Sequence, residues 1–478
     1  MTVLAIDQGT SGTKAVVVGD DGTVLAIAEA AVRPTYLPGG GVEQDPAALL
    51  DSVLETGRRA VADAGRSIST VSIANQGETV LAWDPDTGAP LSAAVVWQDR
   101  RSEALCRSRI ESKEWVAQRT GLVLDPYFSA PKMAWLREHA TTDGVVTTTD
   151  TWLAHHLTGT AFVTDVTTAS RSLLTDLDTT RWDPELADLF GLGSEAMPTI
   201  VANDATVGVT EAFGPPAQVG GLIVDQQAAL LAQRCTTAGT AKVTFGTGVF
   251  LLANVGTVPV RPSSGLTCSV AWNLRGGTAY CVDGQAYTAA SAVRWITDLG
   301  LISAPTDLDA VAADDADGVL FVPALAGLAA PWWRPEATAT FTGMTLSHNR
   351  AHLVAAVVDG LAAQTAELLS AVGTDLATPL TALRVDGGLT RSARLMQATA
   401  NLTGLPIEVY PSAHATALGA AACARMATDP ALDIADAVPA WAPERTYEPA
   451  WPTERANEFR ARWRAAVAAG LPEENTHA

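Results

Sequence analysis

Basic residues are scarce in this chain: 31 Lys and Arg stand against 52 Asp and Glu, a formal charge of −21. That imbalance disfavours nucleic acid and anionic membrane as partners, so any phosphate recognition has to be local, built from backbone amides and a few cations. Cysteine is scarce too. The five (Cys106, Cys235, Cys268, Cys281, Cys423) are odd in number, scattered and without a C-x-x-C pair; they read as reduced thiols of a cytoplasmic protein and give zinc no ligand set. No run approaches the ~18 apolar residues that span a bilayer, and the chain begins on a strand-like segment without a basic and apolar leader. No low-complexity tract is present. Also missing are the P-loop G-x-x-x-x-G-K-[ST] and the dinucleotide fingerprint, in which a helix follows the glycines.

What is there is a folded composition, 47% hydrophobic and 17% charged over 478 residues, too long for one core and suited to two domains of roughly 200 to 250 residues. The cluster Gly214-Pro215-Pro216 with Gly220-Gly221 marks the expected boundary, dividing the chain into 1–219 and 220–478. The stretch VLAIDQGTSGTKA, Val3 to Ala15, organises the first half. An apolar strand ends in Asp7, turns through small residues from Gly9 to Gly12, and leaves past Lys14 into a second strand. Small residues let a phosphate chain approach the main chain; Thr10 offers a hydroxyl, Lys14 a cation, and Asp7 a site for a hydrated divalent metal. Such hairpins are also ordinary turn chemistry. A second copy, KVTFGTGVFLLAN from Lys242 to Asn254, repeats the scheme about 240 positions later, which suggests two related halves facing one ligand.

Between them, Asp20-Asp21-Gly22 predicts a three-stranded meander and Asp45-Pro46 the start of a helix. TVSIAN predicts a strand ending at Asn75-Gln76-Gly77-Glu78, and AAVVWQD another ending at Trp97-Gln98-Asp99; polar residues past strand ends are where α/β folds gather their sites. LIVDQQAALLAQRC reads as strand, acidic turn and helix. A helix around 289–299, a long helix from His352 to about Val372, and the strand, Gly387-Gly388, helix unit of RVDGGLTRSARL follow, the glycines standing where a backbone could approach a nucleotide. The segment from Pro439 reads as a cover or a fray, and His348 and His352 as surface or capping residues.

Ten of these motifs, DQGTSGTKA, NQGET, VVWQDRR, GLVLDPYFSAPKMAWL, DTWL, VDQQAAL, FGTGVF, GLAAPWW, RVDGGL and ATALGAAA, occur in the order and near the spacing of the FGGY carbohydrate kinases of the actin-like ATPase superfamily, and the chain resembles the glycerol kinase branch over essentially its whole length. The resemblance implies an α/β fold of two RNase H-like domains around a deep cleft, with ATP and Mg2+ as cofactors, a small polyol or sugar as substrate, and a dimer or tetramer. It gives Asp225 the role of general base. Glu78, Trp97, Tyr127, Gln226 and Phe250 match polyol contacts. Asp7, Thr10 and Lys14 match the metal and phosphate positions, Thr247 between Gly246 and Gly248 faces the transferred phosphate, and Gly387 and Gly388 match the adenosine side.

Four positions depart from the family pattern. Gly77 stands where the branch carries Arg, which removes a bidentate donor and leaves volume for a polyol longer than glycerol, a four- or five-carbon alditol such as erythritol, threitol or a pentitol. Ala290 replaces a glycine, Arg294 a glutamine and Ser392 an asparagine on the nucleotide side. The loop Gly214 to Gly221 lacks the basic residues that bind an inhibitory sugar bisphosphate in enterobacterial-type relatives, so no such inhibition is expected. A ketopentose kinase of the same family and a non-catalytic nucleotide sensor of the same fold are the rival readings; the presence of both Asp7 and Asp225 favours catalysis.

Overall fold

The computed structural model describes residues 1–471; positions 472–478 lie outside the described residues. Alternation of apolar and small residues sets the strands of two mixed sheets, and breaks at Gly, Asp and Pro set their ends. In the first half these are β1 (Val3–Gln8), β2 (Gly12–Val18) and β3 (Val24–Ala31), then helix α1 (Pro46–Ala64), β4 (Thr70–Asn75), helix α2 (Ser129–His139), β5 (Thr206–Thr210) and β6 (Ala217–Val224). Helix α3 (Asp225–Ala232) leads into the second half, with β7 (Ala241–Phe245), β8 (Val249–Gly256), β9 (Thr267–Leu274), β10 (Gly277–Ala286), α4 (Ala290–Asp298), α5 (Arg350–Asp375), β11 (Leu383–Asp386), α6 (Ala393–Thr403), β12 (Ile407–Val409), α7 (Ala415–Thr428), β13 (Arg445–Tyr447) and α8 (Thr453–Gly470).

The first sheet runs β5-β6-β4-β1-β2-β3 and the second β9-β10-β8-β7-β11-β12-β13. Each holds the same central motif. A hairpin pairs antiparallel (β1 with β2, β7 with β8), a third antiparallel strand lies outside it (β3, β10), and two parallel strands continue on the other side (β4 and β6, β11 and β12). Side strands of a smaller five-stranded sheet, ordered 35–37, 41–44, 94–95, 80–83 and 145–148, stand beside the first.

Asp45 caps α1 through its carboxylate, with Pro46 in the first turn, as expected. Two sequence expectations are corrected. The break at 219/220 falls inside β6, which pairs in parallel with β4 and completes the first sheet; Gly220 and Gly221 are not linker residues, because a side chain at Gly221 would meet the backbone nitrogen of Ala424 at 2.5 Å. The strand read across AAVVWQD is only two residues long, Ala94–Val95, since Asp99 turns back to accept the amide of Val42 at 2.7 Å and its own amide binds the carbonyl of Val96.

Helix α7 ties the halves together. Ala417, Ala421 and Ala424 pack on Val3, Ala5, Val16 and Val18 of the first sheet, and a Cβ on Gly419 would lie 1.9 Å from the carbonyl oxygen of Ala228 in α3. Only small residues permit that approach. The segment after Pro439 is a cover: β13 extends the second sheet, and the fully buried Trp463 of α8 donates to the carbonyl of Phe321 at 2.8 Å. Helix α5 is long and apolar enough to cross a membrane, yet 89% of its most apolar window is buried within this fold. All five thiols are buried, free and unpaired among the described residues. His352 caps α5, accepting the amide of Asn349 at 3.1 Å, and His348 binds the nearby turn.

Candidate active site

The two glycine turns face each other across a cavity of about 770 Å3. The first is closed by the amide of Gly9 on the carbonyl of Gly12 at 3.0 Å, the second by the amide of Gly246 on the carbonyl of Gly248 at 2.9 Å. Thr10 and Thr247 both line the cavity. The indole of Trp97 donates to the Thr10 hydroxyl at 2.8 Å, which fixes the aromatic wall to the first turn. The second turn is docked on the start of α4, where the amides of Ala289 and Ala290 bind the carbonyls of Thr247 and Gly246 at 2.8 and 3.1 Å.

One wall is aromatic. Trp97 lies 5.5 Å from Tyr127 and 6.0 Å from Phe250, both edge-on. The fully buried Lys132 of α2 holds Tyr127 in place, donating to the carbonyls of Pro126, Tyr127 and Phe128 at 2.9, 2.5 and 2.6 Å. Burial pulls its ammonium down to about 8.

Opposite this wall stands Asp225, the first residue of α3. It accepts the amide of Gln226 at 2.6 Å, but the helix cap position belongs to Val224, so Asp225 is not spent as a cap. Burial pushes its carboxyl from 3.8 up to about 6, with Lys242 opposing and Glu78 adding to the rise. Gln226 accepts from the buried Lys242 ammonium, which also donates to the Thr244 hydroxyl at 2.8 Å; Thr244 in turn donates to Asp386 at 2.5 Å. Asp7 faces Lys14 across β1 and β2. Burial, then the neighbouring Asp225, push its carboxyl up to about 7, although Lys14 pulls it down. A carboxylate so short of countercharge, beside the first glycine turn, is one that could hold a divalent cation.

Sequence reasoning missed Arg171. Its buried guanidinium bonds to Glu78 and lies 3.1 Å from Asp283 of β10, joining the two halves through one cation. Burial lowers the Arg171 pKa, but Asp283 and Glu78 outweigh that and hold it well above the ordinary value. Arg171 brings a cationic fork to the cavity wall from elsewhere in the chain, held there by Glu78 and Asp283. Gln98, at the strand end the sequence marked, lines the cavity, and Asp283, Gln285 and Tyr287 line it unforeseen. An Asp and a Gln two apart inside the otherwise apolar strand YCVDGQAY were the available signal, because polar residues on one face of a buried strand need partners.

Glu78, Trp97, Tyr127, Asp225, Gln226, Phe250, Thr10, Thr247, Gly248 and Arg294 meet at the cavity. Asp7, Lys14, Gly77, Gly246, Ala290, Gly387, Gly388 and Ser392 are not in its wall. Gly77 has φ of +70°, which favours glycine irrespective of the ligand. Gly387 is fixed by packing, as a Cβ there would meet the carbonyl oxygen of Phe245 at 2.4 Å. Ser392 caps α6, accepting the amide of Leu395 at 3.1 Å, and bonds to Asp309.

The sequence and fold of known proteins agree with this two-domain fold. The N-terminal domain profile of the FGGY family of carbohydrate kinases matches residues 2–231, and its C-terminal domain profile matches residues 241–428. A glycerol kinase of Bordetella parapertussis is 40% identical, covering 97% of this chain and 96% of the relative; one of Thermus brockianus is 39% identical over 97% of each. Plasmodium falciparum glycerol kinase with ADP superposes with a TM-score of 0.90 at 30% identity, covering 99% of this chain and 98% of that one. A xylulose kinase of Lactobacillus acidophilus shares the fold with a TM-score of 0.89 at 20% identity, covering 98% and 99%.

Proposed function

This chain belongs to the FGGY family of carbohydrate kinases, and from that premise we propose that it transfers the terminal phosphoryl group of ATP to a primary hydroxyl of a small polyol. The observation that carries the reading is the position of Asp225: its carboxylate lines a cleft whose one side offers aromatic faces, carboxylates and amides, and whose other side offers the Gly246-Thr247-Gly248 turn. Aromatic faces suit the C–H skeleton of a polyol, while Glu78 and Gln226 suit its hydroxyls.

Phosphoryl transfer asks the protein mainly to position groups and stabilise charge. Asp225 accepts the proton of the attacking hydroxyl as the new O–P bond forms and the bond to the leaving ADP oxygen breaks; with its carboxyl near pH 6 it is ionised at neutral pH and still basic enough for the task. Lys242 holds Gln226 and screens Asp225 from behind. Thr10, Lys14 and the amides of both turns receive the phosphates. Mg2+, when bound at Asp7, neutralises phosphate charge. Closure of the two halves excludes water, which would otherwise compete as acceptor.

The test is ADP release from ATP and magnesium with a panel of pure polyols and ketoses. Stimulation by at least one polyol, lost in Asp225→Asn, is expected. Polyol-independent release, or none at all, would contradict the reading, and preference for a ketopentose would transfer it to the other branch.

A further inference from the structure

Among the described residues the Asp225 carboxylate makes one hydrogen bond, to the amide of the next residue, Gln226, at 2.6 Å. No other side chain bonds to it, so its place in the cleft is set by the backbone that carries it. That backbone is gripped from the side. The amide of Val224, the last residue of β6, donates to the hydroxyl of Thr167 at 2.9 Å.

Thr167 is held in turn by Asp165, and both are fully buried. The Asp165 carboxylate accepts five donors: the amides of Thr167 and Thr168 at 2.7 and 3.2 Å, the hydroxyls of both threonines, and the side-chain amide of Asn203 at 3.1 Å. Capping the helical turn Val166–Ala169 accounts for the two backbone amides. The other three donors are side chains, and two of them reach on to β6, Thr167 to the amide of Val224 and Asn203 to the carbonyl of Leu222 at 2.7 Å. A threonine hydroxyl has one hydrogen to give. Thr167 gives it to Asp165, which leaves its oxygen turned to Val224 as an acceptor. Thr168 stands toward β4 instead, its hydroxyl 3.2 Å from the side-chain amide of Asn75, the last residue of that strand.

Resting on the kinase reading above, we infer that Thr167, oriented by Asp165, is a positioning residue for the general base: it fixes the end of β6 so that Asp225 stands at bonding distance from the reacting hydroxyl. Neither residue touches substrate. Their effect is on the placement of Asp225, and a displacement of about 1 Å at a reacting group can cost ~100-fold in rate.

The experiment measures kcat and polyol KM with the best acceptor of the panel for wild type, Thr167→Val, Thr167→Ser, Thr167→Cys and Thr168→Val, with ATP binding by calorimetry and thermal melting as a check on folding. Thr167→Val keeps the shape and removes the hydroxyl; kcat is expected to fall by ~10- to 100-fold while polyol KM and ATP affinity change by no more than ~3-fold. Thr167→Ser keeps the hydroxyl and should return kcat to within ~3-fold of wild type, with Thr167→Cys, a weaker donor and acceptor, falling below it. Thr168→Val takes the other hydroxyl from the same carboxylate without touching Val224, and its kcat should stay at least ~10-fold above that of Thr167→Val. The serine and cysteine variants decide the matter if either valine variant fails to fold. Equal kcat losses in the two valine variants, or equal values in the serine and cysteine variants, overturn the positioning role and leave the kinase reading standing. Absence of polyol-dependent turnover in the wild type defeats both.

Discussion

The two glycine turns are built alike and used differently. In each pair the second glycine is locked by backbone: a Cβ at Gly12 would meet the carbonyl of Ala30 at 2.5 Å, and one at Gly248 the carbonyl of Ala286 at 2.3 Å. The first glycine of each is open, with nearest atoms at 3.4 Å for Gly9 and 3.9 Å for Gly246. The same hairpin thus keeps one glycine for packing and one for approach by a ligand. Around this shared frame the chemistry separates. The first turn sits among charges, Asp7, Lys14 and Glu29, and its threonine hydroxyl is bound by Trp97. The second carries no charge in the turn, is docked on α4, and its threonine hydroxyl makes no hydrogen bond among the described residues. The shared scaffold brings two small-residue turns to one cleft, one set among charges and the other uncharged.

Removing the group that works between the halves should have the largest effect. Asp225→Asn is expected to lower kcat by about 10²–10⁴-fold while ATP binding, measured by calorimetry, persists. Arg171→Met removes the cation that bridges Glu78 and Asp283 and leaves two buried carboxylates facing each other; a loss of about 3–5 kcal/mol in denaturant unfolding is expected, and an unchanged midpoint would show that the halves do not depend on this bridge. Gly248→Ala and Gly12→Ala should each destabilise by about 1–3 kcal/mol, whereas Gly246→Ala and Gly9→Ala should leave the melting temperature nearly unchanged; equal effects within a pair would break the division between packing and approach.

pH separates activity from stability. Asp225 and Asp7 titrate in the fold at about 6 and about 7, against 3.8 when exposed. Between those values the native state retains protons that the unfolded chain has released, so their contribution to stability falls as pH rises through 6 and 7, while activity rises as Asp225 ionises. Asp7→Asn should therefore melt higher than wild type at pH 8 by a few degrees, with the gain gone by pH 4. The smallest effect expected is none: fructose 1,6-bisphosphate should leave activity unchanged, because the stretch Gly214 to Gly221 contains no Lys or Arg.

Local chemistry carried much of this in the sequence. Asp-Pro before α1, the glycine turns and the strand-to-helix passage at Asp225 are short-range features, each with a mechanism in its own residues, and all stand where expected. What the sequence hid was long-range. Arg171 and Glu78 are 93 positions apart, and Arg171 and Asp283 a further 112; no local pattern announces a cation that two distant carboxylates enclose. The domain break was misplaced for a related reason. Gly220 and Gly221 look like a linker until Ala205 and Thr206 are seen against the first and the backbone of Ala424 in α7, about 200 positions on, against the second.

Phosphorus-31 NMR of ATP, magnesium and an alditol with the enzyme tests the central claim most directly, because it identifies what receives the phosphoryl group. The account predicts a new phosphomonoester resonance growing in step with ADP for wild-type protein and its near absence with Asp225→Asn that still binds ATP. Release of inorganic phosphate in place of the ester, or ester formation by Asp225→Asn at the wild-type rate, would contradict it.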